Sequence, residues 1–461
     1  MIKYRILNPD NSEIQLNPNK INEKLIKSLE IDENLKNYLR SKFIKGRKGK
    51  ELESSRLAQK LRICEPEEAS DVGNLRWLPN GVVVFNAVKK WCKHIALDVL
   101  KAYEIDSPIM YDWSYPDIKA QGQSFHGRHY KINVAKGKKL ILRFAGDFGL
   151  FRIMKQAQFS HWQLPIRVFE FSKSFRYEKH GEVSGLKRPR AFHMPDIHSF
   201  CKDLDEAWSE FIELFRSYEK LNKDMGLKLA IEFPVVSDFL ENNLSKIQNL
   251  VKWLDRSVLL EVLPGMKHYW VIKGDFHYVD QGLNEGQIST VQLDIEDAQR
   301  YGINYIDEKG KKQGCVIVHS SLGSIERILY GLLEKSALDN ALPFWLAPVQ
   351  VAVLPVSQAY NAKAINLAKY LDKEGFRALV DDRDESVNRK VRDWHKEWIP
   401  ANIVIGKKEV NSKNFALQMR GSDEVKKLAK SDLIELLNSA QENMPFVRAN
   451  SRLLRSGRVG F

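Results

Sequence analysis

RVFEFSKSFRYEKHGEVSGLKRPRAFHMPDIHSFC, residues Arg167 to Cys201, holds two alternating runs joined by a polar, glycine-containing turn, the pattern of a long antiparallel hairpin. In the first run Phe169, Phe171, Phe175 and Tyr177 share one face, and Glu170, Ser172, Ser174, Arg176 and Glu178 share the other, because side chains alternate along a strand. In the second run Arg190, Asp196 and His198 have one parity. A face with two arginines, three carboxylates and a histidine is costly to bury unless it lines a polar site. A solvated outer sheet face accounts for it as well.

Composition bounds what surrounds this hairpin. At 461 residues the chain has the length of about three domains, and its 43% hydrophobic residues with 16 prolines suffice for ordinary cores. A net charge of +13 suggests a polyanionic partner, since clustered cations gain by releasing counterions from phosphates. Cys64, Cys92, Cys201 and Cys315 form no CxxC pair, which excludes a disulfide scaffold or zinc ribbon. No apolar run reaches transmembrane length and no signal-peptide core opens the chain; a soluble, cytoplasmic protein with no membrane partner is expected.

Working outward, residues 1–67 read as a small basic leader, with Asn17 and Pro18 opening an amphipathic helix that buries Leu25, Ile26 and Leu29. KFIKGRKGK (Lys42 to Lys50) reads as a mobile basic loop, RNA-facing or merely solvated. After Asn86, Val88, Trp91, Ile95 and Val99 form a packing stripe. KLILRFAGDFGLF (Lys139 to Phe151) predicts strand, turn and helix, and Leu204, Trp208, Phe211, Phe215 and Tyr218 mark a structural helix. CVIVHSSLGSIERILYGLLE (Cys315 to Glu334) predicts strand, turn and helix, with Ser324 as N-cap and Ile325, Ile328, Leu329 and Leu332 buried. From Val349 to Ile405 the rhythm is βαβαβ, which argues for a mainly parallel sheet covered by helices. The tail after Met444 carries Arg448, Arg452, Arg455 and Arg458 and no acidic residue; it reads as a flexible RNA-facing arm or a disordered end.

FRYE, a loop and then GLKRPRAF resemble motif 2 of the class II aminoacyl-tRNA synthetases, and PDIH resembles the threonyl-tRNA synthetases, archaeal type. Pro108 in YEIDSPIMYD matches motif 1, GSIER matches motif 3, and DDRDESVNRKVRDWHKEWIP resembles the class IIa anticodon-binding domain. The resemblance implies an α+β catalytic domain with an antiparallel sheet (68–345), an α/β anticodon-binding domain (346–443) and a basic tail (444–461). It implies ATP-dependent activation of threonine with Mg2+, transfer to tRNA(Thr), and a homodimer built on the motif 1 helix and strand, which the residues alone allow equally as core. Arg176 and Arg327 would be the catalytic cations. Glu178, Arg188, Arg190 and Gln292 would join them around ATP, and Tyr269, Gln287 and Asp196 would border the amino acid. Gln287 and Gln292 have opposite parity, so both face one site only if a bulge intervenes. An arginine near a helix start, such as Arg327, opposes the dipole and suits a polyphosphate ligand. Glu409 would read the anticodon; the usual basic reader falls at Gln418, with Arg420 two residues on.

The family holds one zinc through Cys, His and His. Here the positions are Asp147, His198 and His319, and His319 to Gly323 is one residue shorter than the family pattern. Asp-His-His with an open position is a legitimate zinc set, although loss of the thiolate admits Mn or Fe more readily; alternatively Asp147 binds the substrate ammonium directly. Asp196 is expected beside the substrate hydroxyl. Nothing in the leader matches the family's editing domains, so clearance of Ser-tRNA(Thr) by a separate protein is expected. Two other readings stay open: a catalytically weakened paralogue that binds tRNA as a regulatory module, and a synthetase for another amino acid.

Overall fold

The computed structural model describes residues 1–44, 52–124, 127–449 and 452–459, and the chain divides into two units. The first comprises Met1–Lys50, Val72–Asn74 and Cys92–Gly331. In chain order the strands of its main sheet are β1 (Lys3–Leu7), β2 (Glu13–Leu16), β3 (Tyr103–Ile105), β4 (Ile166–Phe175) and β5 (Ala191–Cys201). They continue with β6 (Ala230–Val236), β7 (Val258–Leu263), β8 (Trp270–Val279), β9 (Glu285–Asp294) and β10 (Val316–Ser321). These ten lie in the order β2-β1-β7-β6-β8-β9-β10-β5-β4-β3. All neighbours are antiparallel except β6–β7 and β3–β4.

The predicted hairpin is β4 and β5, which pair from Phe175 opposite Ala191 to Ile166 opposite Phe200. Its polar face is the inward one. Glu170, Ser172 and Ser174 are buried, while Phe171 and Phe175 are only partly so; the solvated-face alternative fails. The other side of the sheet carries the apolar core. Helix Leu204–Asp224 packs Phe215 against Phe233 and Phe276, and its Tyr218 hydroxyl donates to Ser320 Oγ at 2.8 Å. Leu204, at the helix start, stays exposed.

Behind the hairpin, the Arg143 guanidinium meets Glu170 Oε1 at 2.6 Å and Ser107 Oγ at 2.9 Å, with both charged side chains buried. Removing one partner of such a pair leaves an uncompensated buried charge, at a cost of about 3–5 kcal/mol. Glu170→Ala is therefore expected to lower the urea unfolding midpoint by that free energy. A midpoint within 0.5 kcal/mol of wild type would show the guanidinium neutralised some other way.

The N-terminal residues depart from the leader reading. Asn17 caps only the short turn Pro18–Lys20; the helix Glu23–Ser28 starts at Asn22, whose side chain accepts from Leu25 N. Strands β1 and β2 join the main sheet, whereas 53–60 and 64–66 belong to the second unit. Most of the basic loop Lys42–Lys50 lies outside the described residues. The stripe after Asn86 buries Val88 and Trp91 but leaves Val99 exposed. The cause is a π-helical turn over His94–Val99, whose wider i→i+5 pitch breaks the 3.6-residue phase.

The second unit comprises Glu51–Asp71, Leu75–Trp91 and Leu332–Phe461. Its sheet contains β11 (Val351–Pro355), β12 (Ala378–Val380), β13 (Ala401–Ile405), β14 (Asn414–Met419) and β15 (Val425–Ala429), ordered β12-β11-β13-β14-β15. The first three neighbours are parallel and the last two pairings antiparallel, as the βαβαβ rhythm predicts. Its core is Val351, Val353, Ala368, Leu371, Ile403, Leu433 and their neighbours. The described residues of the tail, 444–449 and 452–459, do not form a flexible arm. Leu454 bridges to Val380 at the sheet edge, Arg448 pairs with Asp372 at 2.5 Å, and Arg455 pairs with Glu397.

Candidate active site

Strand register assembles the site in the first unit. Glu170, Asp196, Ser321, Thr290 and Asp275 stand opposite one another across β4, β5, β10, β9 and β8. Along the next row inward-facing positions align His198, His319, Gln292 and Lys273. Two rows of polar side chains thus cross one sheet face, each member placed by the period-two alternation of its own strand.

In the upper row Asp196 is 5% exposed and its Oδ1 has no hydrogen-bond partner among the described residues, while Ser172 Oγ donates to Oδ2 at 3.3 Å. Burial, aided by the charges of Asp147 and Glu170 and opposed by the Ser321 hydroxyl, pushes its carboxyl up to about 7. The sign follows directly. The folded state holds the proton across the window from about 4 to 7, where the unfolded chain releases it, so stability falls as pH rises through that window. Asp196→Asn is expected to gain on wild type in unfolding midpoint as pH goes from 5 to 8; a constant difference would contradict the burial-driven shift.

In the second row His198 and His319 meet edge to face with centroids 4.8 Å apart. Asp147, the first residue of helix Asp147–Gln156, brings Oδ1 to 3.3 Å from His198 Nε2. Burial works against the Asp147 carboxylate, but the His198 bond and the charges of His198, His319 and Arg176 outweigh it and hold it below its usual range. Behind His319 lies Asp294, with Oδ2 2.6 Å from Nε2. Burial disfavours the imidazolium there, yet Asp294 pushes its pKa up to about 9. Asp147, His198 and His319 each offer a ligand atom, all within 4.8 Å of one another. The set fits a divalent cation with an open side, and a carboxylate behind a ligating imidazole is the usual orienting arrangement. The shorter spacing to Gly323 therefore leaves His319 facing His198.

The tyrosine and glutamines close the pocket. Tyr269 donates to Gln292 Oε1 at 2.9 Å and packs on His319, and burial raises its hydroxyl pKa strongly. Gln287 Nε2 donates to Asp275 at 2.8 Å. Both glutamines reach the polar face because a register shift sits between Asp275 and His277 on the partner strand; the bulge required by their opposite parity is present.

Arg176 and Arg327 lie close enough for their charges to interact. Arg176 donates through Nε to Phe144 O at 3.0 Å and lies over the Phe192 ring. Burial lowers its pKa, opposed by Glu178, Asp196, Asp147 and Tyr269. Arg327 is fixed by two backbone carbonyls, Lys187 O at 3.1 Å and Gln287 O at 3.2 Å. Burial lowers its pKa too, and the next cause is the charge of Arg176. Ser324 Oγ accepts from Arg327 N at 3.2 Å as the predicted cap. Glu178 takes Arg188 at 2.9 Å and Arg128 at 3.4 Å, and its carbonyl accepts from Arg190 Nε at 2.9 Å. The two guanidiniums are partly buried and repel one another, and the fork of each suits paired bonds to phosphate or carboxylate.

Sequence reasoning missed Asp294, Arg128 and Gln121, whose Nε2 lies 3.2 Å from Asp147 Oδ2. Only Asp294 had a signal: it shares Gln292's parity at the end of the same strand. In the second unit, Glu409 Oε2 accepts from Gly406 N at 3.0 Å, and Arg420 is held by Asn340 O and His395 O. Those two are not brought together by any bond between them.

Residues 130–336 match the model of the tRNA synthetase class II core domain (G, H, P, S and T), and 350–440 match that of an anticodon binding domain. The threonine–tRNA ligase of Nitrosopumilus maritimus is 37% identical over 86% of this chain, which spans 65% of that protein's length. Those of Pyrococcus horikoshii and Methanocaldococcus jannaschii are 36% and 35% identical over 93% and 96% of the chain, covering 70% and 73% of theirs. The fold is also that of the RNA binding domain of threonyl-tRNA synthetase from Cryptosporidium parvum, with a TM-score of 0.75 at 22% identity, covering 86% of this chain and 99% of that one. On the strength of these matches, the chain belongs to the threonine–tRNA ligase family of class II aminoacyl-tRNA synthetases.

Proposed function

We propose that the chain activates threonine with ATP and then esterifies tRNA(Thr). The observation that supports this most is the pair Arg176 and Arg327, two partly buried guanidiniums whose like charges interact. The threonine carboxylate attacks the α-phosphorus in line, forming the adenylate as the bond to pyrophosphate breaks. Arg176 and Arg327 stabilise the charge that grows on the phosphoryl oxygens. Glu178, set between Arg188 and Arg190, faces the adenine side, with Gln292 near the nucleotide. A ribose hydroxyl of the tRNA end then attacks the adenylate carbonyl and AMP leaves. Mg2+ would neutralise the phosphate charge. ATP–pyrophosphate exchange across all amino acids tests the reading: threonine-only exchange supports it, exchange with another amino acid moves the specificity, and none favours a tRNA-binding paralogue.

For the amino acid, Asp196 takes the side-chain hydroxyl, and Tyr269 and Gln287 border it. Asp147, His198 and His319 would hold a zinc ion, which would bind the substrate amino and hydroxyl groups. A carboxylate third ligand makes the site less selective for zinc than a thiolate would. Asp294→Asn, which disturbs the group that orients His319, is expected to lower metal affinity about 10–100-fold, read by competition with a chromophoric chelator. If the purified wild type binds no divalent metal at all, Asp147 instead takes the substrate ammonium.

The catalytic region is assigned to 68–345, anticodon binding to 346–443 with Glu409 and Arg420 at the RNA, and the basic tail to 444–461. Exposed Val99, Tyr103, Ile109 and Met110 support a homodimer through the motif 1 region. No helix among the described residues is long and apolar enough to cross a membrane; the place assigned to the enzyme is the cytoplasm, where its tRNA substrate is. Serine differs from threonine by one methyl, which discriminates by only about 1–3 kcal/mol; Ser-tRNA(Thr) therefore needs clearing, a task we assign to a separate protein. Hydrolysis of that ester by the purified chain would refute this last point.

A further inference from the structure

The second unit contains a cavity of about 410 Å³ between helix Asn361–Lys373, the edge strand β12 and the docked tail. Its charged lining is Lys369, Arg377, Arg448 and Arg458 against the single carboxylate of Asp372. Arg448 occupies that carboxylate at 2.5 Å. Arg377 is 4% exposed and is held by three carbonyls, those of Ala347, Val447 and Trp345, at 2.9, 2.8 and 2.7 Å. Carbonyl dipoles fix that guanidinium without cancelling its charge, and burial alone lowers its pKa to about 10. Arg458, whose Nε donates to Arg452 O at 3.0 Å, adds a further partly buried cation.

We propose that this pocket seats a backbone phosphate of an RNA strand. The volume is of small-ligand size, and a surplus of fixed cations in a concave wall focuses potential on an anion. Exposed Lys369 and Arg448 at the mouth suit a strand that runs past, rather than a ligand enclosed on all sides. The place is separate from the anticodon-reading candidates: it borders β12 at one edge of the sheet, whereas Glu409 and Arg420 follow β13 and β14. The proposal rests on the tRNA-binding reading above. It adds a sequence-independent foothold that exists only because the C-terminal tail folds back onto the sheet edge.

The test uses the full chain carrying Lys369→Ala with Arg448→Ala, two exposed positions, and binding of labelled tRNA and of a mixed-sequence single-stranded RNA at 50 to 200 mM KCl. The expected result is weaker binding of both RNAs, with the slope of log K against log[KCl] shallower by about one unit, since each phosphate contact contributes about 0.7–0.9. Unfolding midpoint and tRNA-free ATP–pyrophosphate exchange should match wild type. Wild-type affinity and slope in the double variant would overturn the proposal. So would saturable binding of inorganic phosphate or AMP that the variant loses while RNA binding is unchanged, which would reassign the pocket to a free phosphate compound. If exchange with threonine fails in wild type but the RNA slope still falls in the variant, the ligase reading is lost and the phosphate seat stands.

Discussion

Arg327→Ala is expected to slow threonine-dependent ATP–pyrophosphate exchange by about 10²–10³-fold, the cost typical of deleting one preorganised charge donor at a transition state. The guanidinium is pinned by the carbonyls of Lys187 and Gln287, with the like charge of Arg176 facing it. That arrangement is unfavourable until an anion enters, so the stabilisation is greatest where phosphoryl charge is greatest. Arg327→Lys should recover only part of the loss, because a point charge replaces the two-pronged fork. The variant should stay folded, with an unfolding midpoint close to wild type, so that lost exchange reports on the chemistry. Exchange within threefold of wild type in Arg327→Ala would remove the arginine from the chemistry, and with it the main support for the proposed activity.

Asp196→Ala is expected to lower the threonine-over-valine ratio of kcat/KM by about 10²-fold or more. A site built to pair a substrate hydroxyl rejects the analogue lacking it by about 10⁴–10⁵, and an apolar pocket of the same shape loses that preference. The Oδ1 of Asp196, without a hydrogen-bond partner among the described residues, is the group that a valine methyl would leave stranded. The serine-to-threonine ratio should hardly move, because both carry the hydroxyl and differ by a methyl. If valine discrimination survives the substitution, recognition of the hydroxyl belongs elsewhere, with Tyr269 and the histidine pair the next groups to vary.

Much of this site was legible because strands announce their faces. The parity of Glu170, Asp196 and His198 put them on one side, and the sheet register then set Asp196 opposite Ser321 and His198 opposite His319. What alternation does not encode is which side is inward; burial of Ser172 and Ser174 decides that. Asp294 was legible in principle, two residues from Gln292, but its role depends on a neighbouring strand placing His319 beside it. Lys3–Leu7 was overlooked because a five-residue strand needs a distant partner, Val258–Leu263, to stabilise it. The tail misled for a related reason: it read as a flexible RNA-facing arm because the carboxylates that two of its arginines meet, Asp372 and Glu397, stand far back in the sequence. Val99 failed through a local widening of the helix that no apolar spacing predicts.

The pairing of β1 with β7 has a practical consequence for handling the molecule. Val258–Leu263 is an almost wholly apolar strand, VLLEVL, and the first sixteen residues are its guard on the outer flank. Trimming them would bare a row of unbonded peptide groups on a sticky ribbon, the kind of edge that recruits other chains. Deletions at this terminus should yield precipitate rather than a shorter folded chain.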